Sequence, residues 1–222
     1  MEVQDWGTID FHDAWRRQRE LADAVLRLGH PDTLVFCEHP PVITLGRTTQ
    51  EGSVLQSTEL LAQQGIDVVA INRGGEATVH NPGQLVGYPI FHLARSRQDL
   101  HWFLRLLEQS VIDVLGAHGL AAQRVEGLTG VWIGESRKIC AIGIHCSRWV
   151  TSHGFALNVT NDLRLFDAIV PCGIRERGVT SLQRELSATA VSVPSMQQLK
   201  AEIASAMLKH LHADVPAYPA TS

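Results

Sequence analysis

A long block of strand-forming residues in the middle of the chain requires an antiparallel sheet in the fold. It covers residues 130–159 and reads GVWIGESRKICAIGIHCSRWVTSHGFALNV. Apolar and β-branched residues lie on both sides of the turn-forming triplet Gly134-Glu135-Ser136, which is typical of a β-hairpin. The last run, VTSHGFALNV, continues the sheet. Since hairpins join antiparallel neighbours, we predict a strand-rich, antiparallel centre for the fold.

Helical and strand-like segments alternate over the remainder of the chain. Amphipathic spacing and capping residues predict helices over residues 10–29 and 57–64, a long helix after Asp99 and a last helix after Ser195. Strands are predicted for TLVFC, for PVITLG, for IDVVAIN as a buried strand, and for the two pieces that flank HNPGQ. Helices mixed with hairpins indicate an α/β (α+β) fold with a mixed, largely antiparallel sheet and packed helices.

Composition restricts the functional classes further. No linker or repeat divides the 222 residues, so we predict one domain over 1–212 and a disordered tail over 213–222. A formal net charge of -4 offers no basic surface for nucleic acid, and no apolar run is long enough for a bilayer. Without a targeting segment, a soluble cytoplasmic protein with thiols rather than disulfides is expected. The ligand spacings of metal motifs are absent, so neither a metal nor another cofactor is expected.

Two loop-like segments are candidates for chemistry, each with a plain structural alternative. In RGGEATVHNPGQ, paired glycines allow a backbone to approach a ligand closely, although a bulged hairpin with a Pro-Gly turn explains the same residues. Cys172 lies between Pro171 and Gly173, which indicates an exposed loop, whereas Cys37 and Cys140 lie within apolar strands. A loop cysteine can act as a nucleophile if a base or a cation stabilises its thiolate.

Lys138 is the third candidate, because it opens an apolar strand in a chain that otherwise uses arginine. Only three of the 19 basic residues are lysine, and the other two lie near the C-terminus. A desolvated lysine can lose its proton and act as a base, which arginine cannot do. On a regular strand Lys138 shares a face with Cys140 and Ile142. The alternative is a lysine whose stem lies along the sheet, with His80 or His153 as the base.

The longer motifs together resemble those of the lipoyl(octanoyl) transferase family. Four segments carry the resemblance in order: EHPPVITLGR (38–47), RGGEATVHNPGQLVGYPI (73–90), GVWIGESRKICAIGIHCSRWVTSHGFALNV (130–159) and PCGIRERGVTSL (171–182). The resemblance implies a fold related to the catalytic domains of biotin and lipoate-protein ligases. It also implies that octanoyl moves from octanoyl-acyl carrier protein to the target lysine of lipoyl domains, the first step of endogenous protein lipoylation.

The same resemblance assigns roles to residues of this chain. Cys172 attacks the octanoyl thioester and holds the acyl group as a new thioester, and Lys138 is the base. The implied acyl-binding residues form three segments: Arg73, Gly74, Gly75, Glu76, Ala77, Thr78, Val79 and His80; Ala141, Ile142 and Gly143; Gly154, Phe155 and Ala156. Three positions depart from the family pattern: Asn81 replaces a glycine, Val79 replaces a common tyrosine, and Glu76 replaces Asp or Gln. Asn tolerates positive φ, so the turn is expected to survive.

The partners implied by the resemblance are octanoyl-acyl carrier protein and lipoyl domains, both those of 2-oxo acid dehydrogenase acyltransferase subunits and the glycine cleavage H protein. The enzyme is expected to act as a monomer. An ATP-dependent lipoate-protein ligase of the same fold is the first alternative, but it needs no thiol and no nucleotide motif is present. A non-catalytic lipoyl-domain-binding protein is the second, and it would leave Lys138 and Cys172 without a role.

Overall fold

Two β-sheets and five α-helices make up the part of the chain that the computed structural model describes, residues 1–170 and 178–212. The strands are β1 (Glu2–Thr8), β2 (Thr33–Glu38), β3 (Val42–Leu45), β4 (Asp67–Ala70), β5 (Thr78–His80), β6 (Gln84–Ile90), β7 (Ala122–Val125), β8 (Leu128–Ile133), β9 (Arg137–Ser147), β10 (Val150–Asn158) and β11 (Gly178–Val179). The α-helices are α1 (Phe11–Arg27), α2 (Thr58–Gln63), α3 (Leu100–Ala117), α4 (Leu182–Leu186) and α5 (Met196–Leu211).

The larger sheet has the strand order β1-β2-β6-β10-β9-β8-β7, and β11 pairs with β9. The pairs from β2 to β7 are antiparallel, whereas β1 joins β2, and β11 joins β9, in parallel. The predicted hairpin is present, because β8 ends at Ile133 and β9 begins at Arg137, on either side of the predicted turn. The prediction of a mixed, largely antiparallel sheet with packed helices is confirmed.

The smaller sheet has the order β4-β3-β5, in which β3 is parallel to β4 and antiparallel to β5. The two strand-like pieces that flank HNPGQ therefore belong to different sheets, β5 to the smaller and β6 to the larger. The turn between them carries the chain from one sheet to the other. Strand β4 was predicted to be buried, but only Val69 of its four residues is, because β4 is an edge strand of this sheet.

Helices cover both faces of the larger sheet, as strand β2 shows. Leu34 and Phe36 pack into the core formed with α3 and α5, while Val35 and Cys37 pack into the core formed with α1. All four are fully buried, so the strand requires a continuous apolar run and not an alternating one. Full burial of one large aliphatic or aromatic side chain contributes about 1.5–3 kcal/mol to stability.

The long helices begin where the capping residues predict. The carboxylate of Asp99 accepts a hydrogen bond from the Trp102 N–H at 2.9 Å, and the Ser195 hydroxyl accepts one from the Gln198 N–H at 3.1 Å. Each cap satisfies a backbone donor that the first turn of a helix leaves without a partner. The predicted boundaries of α3 and α5 therefore follow from local chemistry alone.

Strand β1 was not expected from the sequence, and it extends the larger sheet by pairing with β2. The predicted tail, residues 213–222, lies outside the described residues, and the single domain over 1–212 stays a prediction. In the described ranges, the helices are all too short or too polar to cross a membrane.

Candidate active site

A cavity of about 240 Å³ lies where the two sheets meet. Strand β5 of the smaller sheet and strands β6, β9 and β10 of the larger sheet form its walls, together with the loop that follows β4. Apolar side chains, among them Ile71, Val86, Ile142 and Phe155, cover much of the wall, and a few charged and polar groups converge on it. This composition is typical of a site for a small apolar ligand or acyl group.

The cavity brings together most of the residues that the sequence singles out. Residues of all three predicted acyl-binding segments line it, namely Arg73, Gly75, Glu76, Ala77, Thr78, His80, Ala141, Ile142, Gly143, Gly154, Phe155 and Ala156, and Lys138 lines it as well. Gly74 and Val79 do not contribute to the wall. The Gly74 N–H donates to the Ile144 carbonyl at 2.9 Å, and Val79 is fully buried in a separate apolar cluster behind β5.

Gly143 allows the loop after β4 to lie directly on strand β9. A Cβ added at Gly143 would come within 2.6 Å of the Gly74 carbonyl oxygen, which is shorter than any ordinary contact. The absence of a side chain leaves room for the backbone of the loop that follows β4, and thereby brings that loop to the cavity wall.

The guanidinium of Arg73 fastens the same loop to the smaller sheet. Its Nη2 donates to the Thr44 carbonyl at 2.8 Å and to the Thr44 hydroxyl at 3.0 Å, and its Nη1 donates to the Gly74 carbonyl at 3.0 Å. The residue is only 8% exposed. Arg73 therefore acts first as a structural clamp, and its positive charge is fixed beside the cavity.

Two neutral histidines line the cavity near this charge. His80 donates from Nδ1 to the Gln84 amide oxygen at 2.7 Å, and His153 donates from Nε2 to the Asn72 amide oxygen at 2.8 Å. Burial, assisted by nearby positive groups that include Arg73, lowers the pKa of each ring to about 3. Both rings are therefore neutral at neutral pH and are weak bases. Low basicity makes both histidines poor candidates for the base.

A β-bulge decides which way Lys138 faces. Val131 pairs with Cys140 and Trp132 pairs with Lys138, so Ile139 is an extra residue on β9. Simple alternation predicted that Lys138 and Cys140 share a face, but the bulge shifts the pattern by one residue. Ile139 and Cys140 are both fully buried in the core on the α3 side, whereas Lys138 lies at the cavity.

The cysteines differ in their access to the cavity. Burial raises the pKa of the Cys37 and Cys140 thiols far above the ordinary value, and partial burial raises that of Cys146 as well. None of the three lines the cavity. Cys172, the predicted nucleophile, lies outside the described residues. Within residues 1–170 and 178–212, no three His, Cys, Asp or Glu side chains are grouped as metal ligands would be.

The cavity wall also contains residues that the sequence did not single out. Gln84 donates from Nε2 to the Val79 carbonyl at 3.0 Å and to the Asn158 amide oxygen at 2.9 Å, so its own oxygen faces His80. Its position in HNPGQ was a usable signal. Phe11 also lines the cavity, stacked on His80 with ring centroids 6.0 Å apart. An apolar residue at the start of an amphipathic helix gives no such signal.

The fold is that of the lipoate and biotin protein ligase catalytic domains. A bi-partite lipoate protein ligase from Thermoplasma acidophilum superposes with a TM-score of 0.70 at 19% identity, over 99% of this chain and 87% of that chain. Biotin protein ligase from Aquifex aeolicus in complex with biotin and ATP superposes with a TM-score of 0.57 at 11% identity, over 95% of this chain and 70% of that chain. At such low identity these similarities establish the fold and nothing more.

Closer relatives identify the family. Residues 10–208 match the profile of the lipoyl protein ligase A/B catalytic domain. An octanoyltransferase of Flavobacterium johnsoniae is 44% identical over 226 residues, which cover 95% of this chain and 94% of the relative. An octanoyltransferase of Chloroflexus aurantiacus is 49% identical over 205 residues, covering 91% of this chain and 92% of the relative. The chain therefore belongs to the lipoyl protein ligase A/B family, with the octanoyltransferases, and is an acyltransferase.

Proposed function

We propose that the protein transfers an octanoyl group from octanoyl-acyl carrier protein to the target lysine of lipoyl domains. In this proposal Cys172 carries the acyl group between the two substrates as a thioester, and Lys138 is the base. The observation that carries the proposal is the apolar cavity with Lys138 at its wall, in a chain whose relatives are octanoyltransferases.

The wall chemistry supports an acyl chain as the bound group. Ile71, Val86, Ile142 and Phe155 offer apolar contacts, and no acidic side chain other than Glu76 lines the cavity among the described residues. Three polar side chains of the wall, those of Arg73, His80 and His153, donate to acceptors within the protein. A methylene chain can therefore enter without taking these acceptors from them.

The position of β11 supports the pairing of Lys138 with Cys172. Segment 171–177, which contains Cys172, is followed directly by β11. Gly178 pairs with Arg137 and Val179 pairs with Lys138, so the chain that leaves this segment runs along Lys138. Val179 also lines the cavity. The strand that follows the cysteine segment is thus paired with the part of β9 that carries the proposed base.

The proposed reaction balances without an external energy source. The Cys172 thiolate attacks the thioester carbonyl, the new C–S bond forms, and the carrier thiol leaves with a proton. The amine of the target lysine then attacks the acyl-enzyme, an amide forms, and Cys172 leaves as thiolate. Lys138 accepts the proton of the thiol in the first half and that of the amine in the second. Exchange between thioesters is close to neutral and amide formation is downhill, so no ATP is consumed.

The deciding experiment is transfer of octanoyl from octanoyl-acyl carrier protein to a purified lipoyl domain in the absence of ATP. The proposal expects octanoylated lipoyl domain, detected by intact mass, with no product when free octanoate replaces the carrier thioester. A ligase of the same fold would give the reverse result, with product only from free acid and ATP. Either the reverse result or a failure with both donors would refute the proposal.

The role of Lys138 can be separated from its charge. Lys138→Arg keeps the positive charge but cannot accept a proton, and a general base contributes about 10² to 10⁴ in rate. The variant should therefore lose at least about 10²-fold in transfer, whereas Lys209→Arg on the exposed face of α5 should be unaffected. A near wild-type rate for Lys138→Arg would mean that Lys138 contributes only its charge.

The remaining parts of the proposal follow from the substrates. The partners are octanoyl-acyl carrier protein and lipoyl domains. The lipoyl domains include those of 2-oxo acid dehydrogenase acyltransferase subunits and the glycine cleavage H protein. With these partners we propose a cytoplasmic enzyme that needs no cofactor. A monomer is proposed as the working unit, because the described cavity wall is assembled within one chain.

A further inference from the structure

Lys138 lies against an aromatic ring that the proposed mechanism does not use. Its Nζ is 4.7 Å from the centroid of the Trp132 ring, within the range of a cation–π contact. The two residues are direct cross-strand partners on β8 and β9, so their side chains project from the same face of the sheet. Trp132 is only 1% exposed, so the ring is fixed and water is largely excluded from its surroundings.

The stem of Lys138 is confined as well. Gly130 has a φ of +123°, and a Cβ added there would lie 3.5 Å from Lys138 Cε and 2.7 Å from the Cys140 carbonyl oxygen. The Gly130 N–H donates at 3.0 Å to Glu108, which is fully buried and also accepts from Arg124 at 2.9 Å. The missing Cβ of Gly130 lets strand β8 lie close to β9 beside the bulge, and the bond to Glu108 joins β8 to α3. The lysine stem passes the backbone of Gly130 and the ammonium reaches the ring of Trp132.

A cation–π contact distinguishes the two protonation states of a lysine. The face of the indole ring attracts the ammonium ion and offers nothing comparable to the neutral amine. The contact is therefore expected to fix the position of Nζ at the cavity wall. Removing the ring should widen the range of positions that Nζ occupies.

We infer that Trp132 is a positioning residue for Lys138, whose ring holds the Lys138 Nζ at the wall of the acyl cavity. The inference rests on the proposed function only in so far as Lys138 is the base. In that role, the ring fixes the position from which Nζ exchanges protons. Trp132 does not line the cavity and acts through Lys138.

The chain permits a direct test because it contains only three lysines. Lys200→Arg and Lys209→Arg leave a single lysine, so protein labelled with ¹³C at lysine Cε gives one signal for Lys138. In the parent protein this signal should be displaced upfield by the ring. In Trp132→Leu the displacement should vanish and kcat should fall about tenfold, with little change in the KM for the acyl donor, because a contact of about 1.4 kcal/mol is lost. Trp132→Phe, a weaker ring, should lie between.

A control variant and a substitute series keep the outcome interpretable. Trp149→Leu changes a tryptophan that is 40% exposed in the turn after β9, and should leave the Lys138 signal and kcat unchanged. If Trp132→Leu fails to fold, fluorinated tryptophans inserted at position 132 weaken the ring face while keeping its shape, and should lower kcat in step with fluorination.

A Lys138 signal that stays displaced in folded Trp132→Leu would overturn the inference. The proposed function fails separately. If Lys138→Arg transfers octanoyl normally, then Lys138 is not the base, yet the nuclear magnetic resonance signal still reports whether the ring holds the lysine side chain. If the signal follows the ring while kcat does not change in Trp132→Leu or in the fluorinated series, the positioning role in the reaction is refuted.

Discussion

Acidification should destabilise this protein through the two histidines buried beside the cavity. His80 and His153 have pKa values lowered to about 3, because burial and nearby positive charges oppose protonation. In the unfolded chain each ring titrates near the ordinary value of about 6.5. Below that pH the unfolded state binds protons that the native state does not. The two histidines therefore leave the free energy of unfolding unchanged above about pH 6.5 and lower it as the pH falls toward about 3.

The magnitude follows from the size of the shift. Between about pH 7 and pH 5, each histidine should remove about 2 kcal/mol from the free energy of unfolding, so the pair should remove about 4 kcal/mol. That is a large part of the about 5–15 kcal/mol that is typical of a folded domain. Carboxylates with lowered pKa values, such as Asp113 and Glu185, lose their contribution only at lower pH, so this window reports mainly on histidine.

Urea unfolding at several pH values between about 5 and 7 measures this directly. Because glutamine does not titrate, the free energy of unfolding of His153→Gln should fall by about 2 kcal/mol less than that of the parent between about pH 7 and pH 5. His12→Gln, which changes an exposed histidine on α1, should leave it as in the parent. Equal slopes in the parent and in His153→Gln would refute the reasoning, since they would mean that His153 is protonated in the native state.

Three further predictions concern packing around the site. Glu108→Gln removes the buried carboxylate that accepts from Arg124, and should lower the free energy of unfolding in urea by about 3–5 kcal/mol. The control Glu20→Gln, at an exposed glutamate, should lower it by less than about 1 kcal/mol. Gly143→Ala should push the loop off β9 and raise the KM for the acyl donor, whereas Gly116→Ala, whose Cβ meets nothing within 4 Å, should not. Normal donor kinetics for Gly143→Ala would contradict the close approach. Ala156→Leu should shift the preferred donor toward shorter acyl chains in a competition assay, and an unchanged preference would exclude Ala156 from the acyl path.

Local signals explain which parts of the fold were predictable. Asp99 and Ser195 mark the starts of α3 and α5 because a cap needs only its own first turn. The turn at 134–136 separates β8 from β9 for the same reason. Strand β1 gave no comparable signal, because five of its seven residues are exposed and its place depends on the edge of β2.

The site was predictable as a set of residues, but not in its geometry. The motifs identified Lys138 and nearly all of the cavity segments, yet alternation placed Lys138 on the face of Cys140. The bulge at Ile139 reverses that face, and Gly130 lies against it with an N–H that donates to Glu108 of α3. Neither Gly130 nor Glu108 belongs to β9, so the alternation of that strand alone does not show the bulge.

The most direct test of the proposed mechanism is to locate the acyl group on the enzyme. The protein is mixed with octanoyl-acyl carrier protein without ATP or a lipoyl domain, quenched in acid, digested and analysed by mass spectrometry. The mechanism predicts one octanoyl thioester on the peptide that contains Cys172, absent from Cys172→Ala and retained in Cys146→Ala, a control at a partly buried cysteine. An octanoyl group on Cys140 or Cys146, or no acyl-enzyme under conditions in which transfer occurs, would contradict it.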